Sequence, residues 1–320
     1  MVQPSVVCGV DFSEASRGAL RHAAALAEHF YGVLTVLAVD DPLLAGAATM
    51  ARGAGWLESE TCQELEHFVH RAFPGRTPQV AKLVLRQAVG SAATEILSVA
   101  SETGAGAIVV GTHGRSGLRK MAFGSTTERV LRDTTLPVIV TPATDPGPES
   151  VEDWRRSVKT LLVPVDFSEY SRRQLRIARG LVEATSTGMV IAHVLERLSG
   201  HFAISDMLAR AYATRRATAQ RELEHLAALV APQVSPALVL AEGDAATEIA
   251  RIAREHGAGA IVIGLHAAPG TPRQMGTVTY RLLCQTPTVV VALPPSLSDI
   301  RLTELTGRAE PHCAIEQLRH

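Results

Sequence analysis

Short apolar runs alternate along the chain with longer amphipathic stretches, and that alternation sets the expected elements. Residues 5–10 form an apolar run of strand length. From Ser13 or Glu14 to about Tyr31, the residues Leu20, Ala23, Ala24, Ala27 and Phe30 return on one helical stripe. A second strand is expected at 33–39. A helix follows at 56–73, with Leu57, Leu65, Phe68 and Val69 apolar. Residues 80–85 alternate as a strand, 91–102 read as a helix and 107–110 as a buried strand. A helix at 126–132 and a strand at 137–140 complete the series. This β-α-β-α-β-α-β-α-β order predicts a parallel sheet with helices on both faces, the α/β class.

The same series is written twice. Val10-Asp11-Phe12-Ser13-Glu14 recurs as Val165-Asp166-Phe167-Ser168-Glu169, and Ala92-Ala93-Thr94-Glu95-Ile96 as Ala245-Ala246-Thr247-Glu248-Ile249. The run from Gly104 to Gly111 recurs from Gly257 to Gly264. The order and near-constant offset predict two similar domains, not a short-period solenoid. The expected units are 1–143, a Pro/Gly-punctuated linker at 144–158, a second domain at 159–295, and a tail at 296–320 without a counterpart.

Composition narrows the chemistry. With 46% apolar and 20% charged residues, a packed core is readily built, which excludes a disordered chain. The net charge of −1 and 4% aromatic residues argue against nucleic-acid partners. No apolar run reaches the length of a membrane span, and the start of the chain lacks a basic-then-apolar leader, so a cytoplasmic, membrane-free protein is expected. The four cysteines are scattered and read as reduced thiols. Only three lysines occur, Lys82, Lys120 and Lys159, and none stands in a Walker A pattern.

One loop carries a ligand signature. After the fourth strand comes Gly111-Thr-His-Gly114, then nine residues, then Gly124-Ser125 opening a helix. Glycines there let backbone N–H groups approach a phosphate, and a helix N-terminus favours an anion. Arg115, Arg119 and Lys120 lie within reach of phosphate charge, and Ser125 and Thr126 add hydroxyls. Asp11, after Gly9 and Val10, stands at the carboxyl end of the first strand. In a doubly wound sheet the first and fourth strands flank the ligand crevice. Position alone leaves Asp11 between facing that crevice, where a carboxylate accepts from an exocyclic amine, and capping the first helix; Ser13 is the better cap.

These residues resemble the ATP-binding branch of the universal stress protein family, in its tandem form. The resemblance rests on Val-Asp-Phe-Ser-Glu, the Gly-2x-Gly-9x-Gly-Ser loop and the closing Pro-Val-Ile-Val, and covers nearly all but linker and tail. It implies a five-stranded parallel sheet of order 3-2-1-4-5 in each half, with ATP at the carboxyl ends. Asp11 and backbone near Ala38 would meet adenine. Val110, Gly111 and Gly114 would line ribose and phosphates, and Gly124, Ser125 and Thr126 would hold the phosphate tail, with Mg²⁺ bridging phosphate oxygens. No residue is assigned as a metal ligand.

The second half departs from that pattern. Its loop runs Gly264-Leu-His-Ala267, eight residues, Gly276-Thr277, with Pro269 and Pro272 removing N–H donors. Asp166 persists, and Val194 is taken to correspond to Ala38. Weaker nucleotide binding or none is expected there, although Gly264, Gly270, Gly276 and Thr277 remain.

Other chemistry is thin. His113 and His266 share a loop position without a partner set, and His67 and His70 lie on one helix face. No nucleophile elbow or Ser/His/Asp set occurs. No catalytic residue is therefore assigned, and at most a weak ATPase activity is expected. The reading is an ATP-dependent stress regulator or adaptor. A slow ATPase and a nucleotide-free interaction module are the alternatives. The apolar last strands, 136–141 and 287–292, read as sheet edges that pack domain against domain, with a homodimer formed through edge strands.

Overall fold

The computed structural model describes residues 4–112, 124–196, 206–230, 234–265 and 275–297. The first half runs β1 (Ser5–Val10), α1 (Glu14–His29), β2 (Val33–Asp40), α2 (Pro42–Arg52), α3 (Trp56–Ala72), β3 (Lys82–Val89), α4 (Ala92–Glu102), β4 (Ala107–Gly111), α5 (Ser125–Asp133) and β5 (Val138–Thr141). A short helix, α6 (Val151–Ser157), leads into the second half. There follow β6 (Thr160–Pro164), α7 (Glu169–Thr185), β7 (Gly188–Leu195), α8 (Asp206–Ala228), β8 (Ala237–Glu242), α9 (Ala245–Glu255), β9 (Ala260–Gly264), α10 (Thr277–Gln285) and β10 (Val289–Leu293).

Each half has the strand order 3-2-1-4-5, the doubly wound α/β arrangement that the alternation and the resemblance predict. The two sheets then join. β5 pairs antiparallel with β10, giving one ten-stranded sheet of order β3-β2-β1-β4-β5-β10-β9-β6-β7-β8. Strand register places Ile139 of β5 opposite Val291 of β10, its own counterpart in the repeat, so a pseudo-twofold axis passes between them. The apolar last strands thus lie at the centre of the sheet. The strands left with an open side are β3 and β8.

Layering follows the apolar stripes. On one face α4, α5, α9 and α10 cover a single core that runs unbroken across both halves, through Val138, Val140, Val290 and Ala292. On the other face the core is divided. Alanines 19, 23, 24 and 27 of α1 are fully buried and let that helix lie close to the first sheet, with Leu65 and Phe68 of α3 beside them. A second cluster gathers α6, α7 and α8 over the other sheet.

Two helices escape the sequence reading, and each starts with the expected chemistry. Asp41 caps α2, accepting from Leu43 N–H at 2.7 Å, and Pro42 takes the first helical position. Ser150 caps α6, accepting from Asp153 N–H at 3.1 Å. The connecting segment is docked on α1. The carbonyl of Asp145 lies where a side chain on Gly18 would stand, 2.1 Å from that Cβ position, so only glycine admits this approach. Arg21 adds bonds to the carbonyls of Ala72 and Pro146, and His22 Nε2 meets Asp145 Oδ2 at 2.9 Å.

Candidate functional site

Parallel register puts the ends of β1 and β4 level: Cys8 pairs with Val109, so Val10 and Gly111 end side by side. The chain leaves both strands into the crevice where strand order reverses. Gly111, half-buried, is followed by Thr112, which is tied down three times. Its N–H donates to Thr141 O at 2.9 Å, its hydroxyl accepts from Ala143 N–H at 3.0 Å, and its carbonyl accepts from Gly124 N–H at 2.7 Å. Thr112 and Gly124 are therefore held together at one clamped point. Gly114 and Arg115, with His113, Arg119 and Lys120, lie outside the described residues.

From Gly124 the chain turns into α5. Gly124 is the N-cap and supplies no side-chain cap, so first-turn N–H groups face the crevice mouth uncapped by a side chain. Ser125 is exposed and Thr126 half-buried. Thr127 is buried and donates to Gly111 O at 2.7 Å, which locks the helix start onto the strand end. Neither Thr112 nor Thr127 stands out in the sequence, because the spacing around them does not show which carbonyl or N–H each will reach.

Asp11 sits one step beyond β1. Its Oδ1 accepts from the Ser13 hydroxyl at 2.6 Å and from Ser13 N–H at 3.2 Å. Ser13 in turn caps α1 by accepting from Ser16 N–H at 3.2 Å. The cap is thus Ser13, and Asp11 braces it from the crevice side. Between them Phe12 has φ of 65°, a left-handed conformation that a phenylalanine rarely adopts, held by an edge-on contact of 5.6 Å with Phe68. Ala38 pairs with Val10 inside the sheet and is buried, as is Val110. Gly9 has a packing reason: a Cβ there would meet Ile96 Cδ1 of α4 at 2.7 Å. At the end of β2, Asp40 Oδ2 is held by the Thr61 hydroxyl at 2.8 Å and Gln87 Nε2 at 2.9 Å. Burial pushes the Cys8 thiol far above its ordinary range, so no thiolate chemistry is available in β1. Among the described residues no cluster of His, Cys, Asp and Glu gathers as metal ligands, and no helix is long and apolar enough to cross a membrane.

The second half repeats the frame and changes the contents. Asp166 Oδ1 accepts from Ser168 Oγ at 2.5 Å, Ser171 Oγ at 2.6 Å and Ser168 N–H at 3.0 Å. Phe167 is again left-handed, with φ of 64°. Its aromatic partner differs. The register pairs Gly9 with Leu37 and Pro164 with Ala192, so the counterpart of Ala38 is His193. The expected match of Val194 to Ala38 is one residue off. A one-residue slip turns a strand side chain to the opposite face, and Val194, like Val39, packs against the continuous core of the α4–α9 face. His193 instead stacks on Phe167 with ring centroids 4.0 Å apart, and its Nδ1 lies 2.7 Å from Val165 O. A carbonyl only accepts, so Nδ1 carries the proton. Burial is the main cause that holds the ring below the usual imidazole range.

Gly264 ends β9, Leu265 N–H donates to Leu293 O at 2.7 Å, and Gly276 caps α10, which begins at Thr277. Leu265 stands where Thr112 stands in the first half and brings no hydroxyl. His266, Ala267, Pro269, Gly270, Pro272 and Arg273 lie outside the described residues.

Comparison with known proteins agrees with the frame. The model of the universal stress protein family matches residues 4–142 and again 157–294. A universal stress protein from Archaeoglobus fulgidus superposes with a TM-score of 0.58 at 19% identity, covering 91% of this chain and 96% of that one. A functionally unknown protein from Pseudomonas aeruginosa PAO1 gives a TM-score of 0.61 at 16% identity, covering 95% and 96%. At such identities the likeness is one of fold. Among curated proteins nothing matches the chain. With the family's model matched twice over most of its length, and with two 3-2-1-4-5 sheets joined through their last strands, the chain belongs to the universal stress protein family as a tandem of two domains.

Proposed function

We propose that the chain is an ATP-binding regulator or adaptor of the stress response, with one nucleotide site, in the first domain. The observation that carries the reading is the convergence of Asp11 and the clamped β4–α5 turn at the carboxyl ends of adjacent parallel strands. That crevice is where doubly wound sheets take their ligands.

The residues fit the group. Asp11 presents an acceptor for an exocyclic amine while Ser13 holds its other side. Ala38 leaves space beside it, being the smallest side chain that the strand offers there. The turn from Gly111 to Gly124 and the side-chain-free cap of α5 offer N–H groups to phosphate, with the hydroxyls of Ser125 and Thr126 beside them. Gly114 and Arg115 extend that cradle in sequence. Mg²⁺, held by phosphate oxygens, would screen their charge, and Ser125 is the protein hydroxyl suited to meet it. We read the site as one that holds ATP and turns it over weakly at most.

The second domain is read as the degenerate copy. His193, the counterpart of Ala38, puts an imidazole stacked on Phe167 where the first domain has a methyl group, and Asp166 is bound by two hydroxyls. The protein acts in the cytoplasm. With β5 and β10 paired to each other, the strands through which two chains would form a homodimer are β3 and β8. Calorimetric titration with MgATP tests the site: micromolar binding that disappears in Asp11→Ala supports it, and unchanged affinity in that variant rejects it.

A further inference from the structure

The divided face of the sheet leaves a chamber on the pseudo-twofold axis. Counterpart residues of the two halves line it: Leu26 of α1 and its C-cap Phe30 on one side of the repeat, Leu181 and Thr185 of α7 on the other. Its floor is Ile139 and Val291, the pair on the axis, and Trp154 of α6 closes one side. The space is about 90 Å³ and its walls are almost wholly apolar. An apolar cavity of such a size stays dry and takes an apolar group; one of about 150 Å³ holds benzene.

The symmetry is broken at one position. Where α7 has Ile177, α1 has His22, buried at 7% exposure and bonded to Asp145. His22 and Val289 also line a second, wider and more open chamber of about 300 Å³ under the connecting segment. The charged side chains lining that chamber are Asp145 and Asp153. Asp145 Oδ1 accepts from Gly147 N–H at 2.8 Å and Asp153 Oδ2 from Glu149 N–H at 3.1 Å, so both carboxylates are fixed in place. The two chambers share His22 and Val289 in their walls, so the apolar one adjoins one whose carboxylates are Asp145, paired with His22, and Asp153, 3.7 Å from the Arg156 guanidinium. An apolar wall beside carboxylates that hold cationic partners matches a molecule with an apolar tail and a cationic head.

We propose that the interface between the two domains is a second ligand site, independent of the nucleotide crevice, which takes a small amphiphilic amine. Its short hydrocarbon part lies between Leu26, Leu181 and Trp154, and its ammonium group lies against Asp145 and Asp153. Every wall belongs to one of the two domains or to the segment joining them. Occupancy therefore joins the halves, and the ligand acts as a wedge or a tether between them.

Trp154 reports on the chamber directly. The chain has two tryptophans, and Trp56→Phe leaves Trp154 alone. Full-length Trp56→Phe protein titrated with butyl-, pentyl- and hexylammonium should show a saturable change in Trp154 emission. Affinity should rise about fourfold per methylene, as burial of each CH₂ demands. Hexanol should bind more weakly and hexanoate most weakly. Leu181→Phe, which fills the chamber from a half-buried helix position, should weaken hexylammonium at least tenfold while the melting temperature confirms folding. Asp145→Asn should bring hexylammonium down to the level of hexanol and leave hexanol itself unchanged, a second reading that needs no steric change. MgATP affinity should stay constant in both variants. No saturable signal, equal binding of hexanoate and hexylammonium, or unchanged binding in folded Leu181→Phe overturns the proposal.

Discussion

The crevices of the two domains share a frame and differ at several matched positions. Where the first has Ala38, Thr112 and Ser91, the second has His193, Leu265 and Asp244. The frame is what the fold requires: a left-handed Phe after each first strand, a Ser cap on each first helix, a threonine tying each last helix to a strand end. Thr279 Oγ1 reaches Gly264 O at 3.3 Å, as Thr127 reaches Gly111 O. Ala38 and His193 lie near the carboxyl ends of β2 and β7, Thr112 and Leu265 just after β4 and β9, and Ser91 and Asp244 at the N-caps of α4 and α9. The duplicated domain thus keeps the turn, cap and tie residues of the frame while positions around the crevice differ.

The comparison breaks most sharply at the paired carboxylates. Asp11→Ala should lower MgATP affinity at least tenfold by calorimetry, the cost of losing a hydrogen bond to a charged group. Asp166→Ala should change it less than twofold. Next comes His193→Ala, which removes the ring from the Phe167 stack and from Val165 O. Chemical denaturation should show a loss of about 1–2 kcal/mol. The emptied place should also let weak nucleotide binding appear in an Asp11→Ala background.

The helix caps give a smaller, equally direct contrast. Asp244 accepts from Thr247 N–H at 3.1 Å, whereas Ser91 occupies the matching cap position of α4 and accepts no cap bond from its side chain. Asp244→Ala should therefore cost about 1 kcal/mol and Ser91→Ala close to nothing. Asp244 is also bonded to the Arg281 guanidinium at 2.5 and 2.9 Å. Bonds from Thr247 and Arg281 pull its carboxyl from 3.8 to about 2. A depressed carboxyl contributes stability above its unfolded value and loses that contribution as pH falls through the folded one. The smallest effect expected is thus a decline in melting temperature between about pH 4 and pH 2 that Asp244→Asn lacks.

Much of this was legible because local and global signals agree. The repeated Val-Asp-Phe-Ser-Glu, the alternation of apolar runs and the glycine spacing after β4 each come from short segments, and the fold preserves them. Helix α2 was missed although Asp41-Pro42 is a start signal, because its apolar residues face outward: Leu43 is 85% and Met50 92% exposed, so no stripe marks a buried face. The slip between Val194 and His193 reflects two strands that are near-continuous apolar runs, with no polar alternation to fix register. Asp40, Thr112 and Thr127 are held by bonds to groups distant in sequence, which no spacing encodes. The interdomain chamber is assembled from α1, α6, α7 and strands of both halves that meet only when β5 pairs with β10, so it exists at the level of topology alone.

Counting nucleotide per chain tests the central claim most directly. Equilibrium dialysis with MgATP should give one bound nucleotide per chain, none in Asp11→Ala, and one in Asp166→Ala. Two per chain, or one retained in Asp11→Ala, would contradict the assignment of a single site to the first domain.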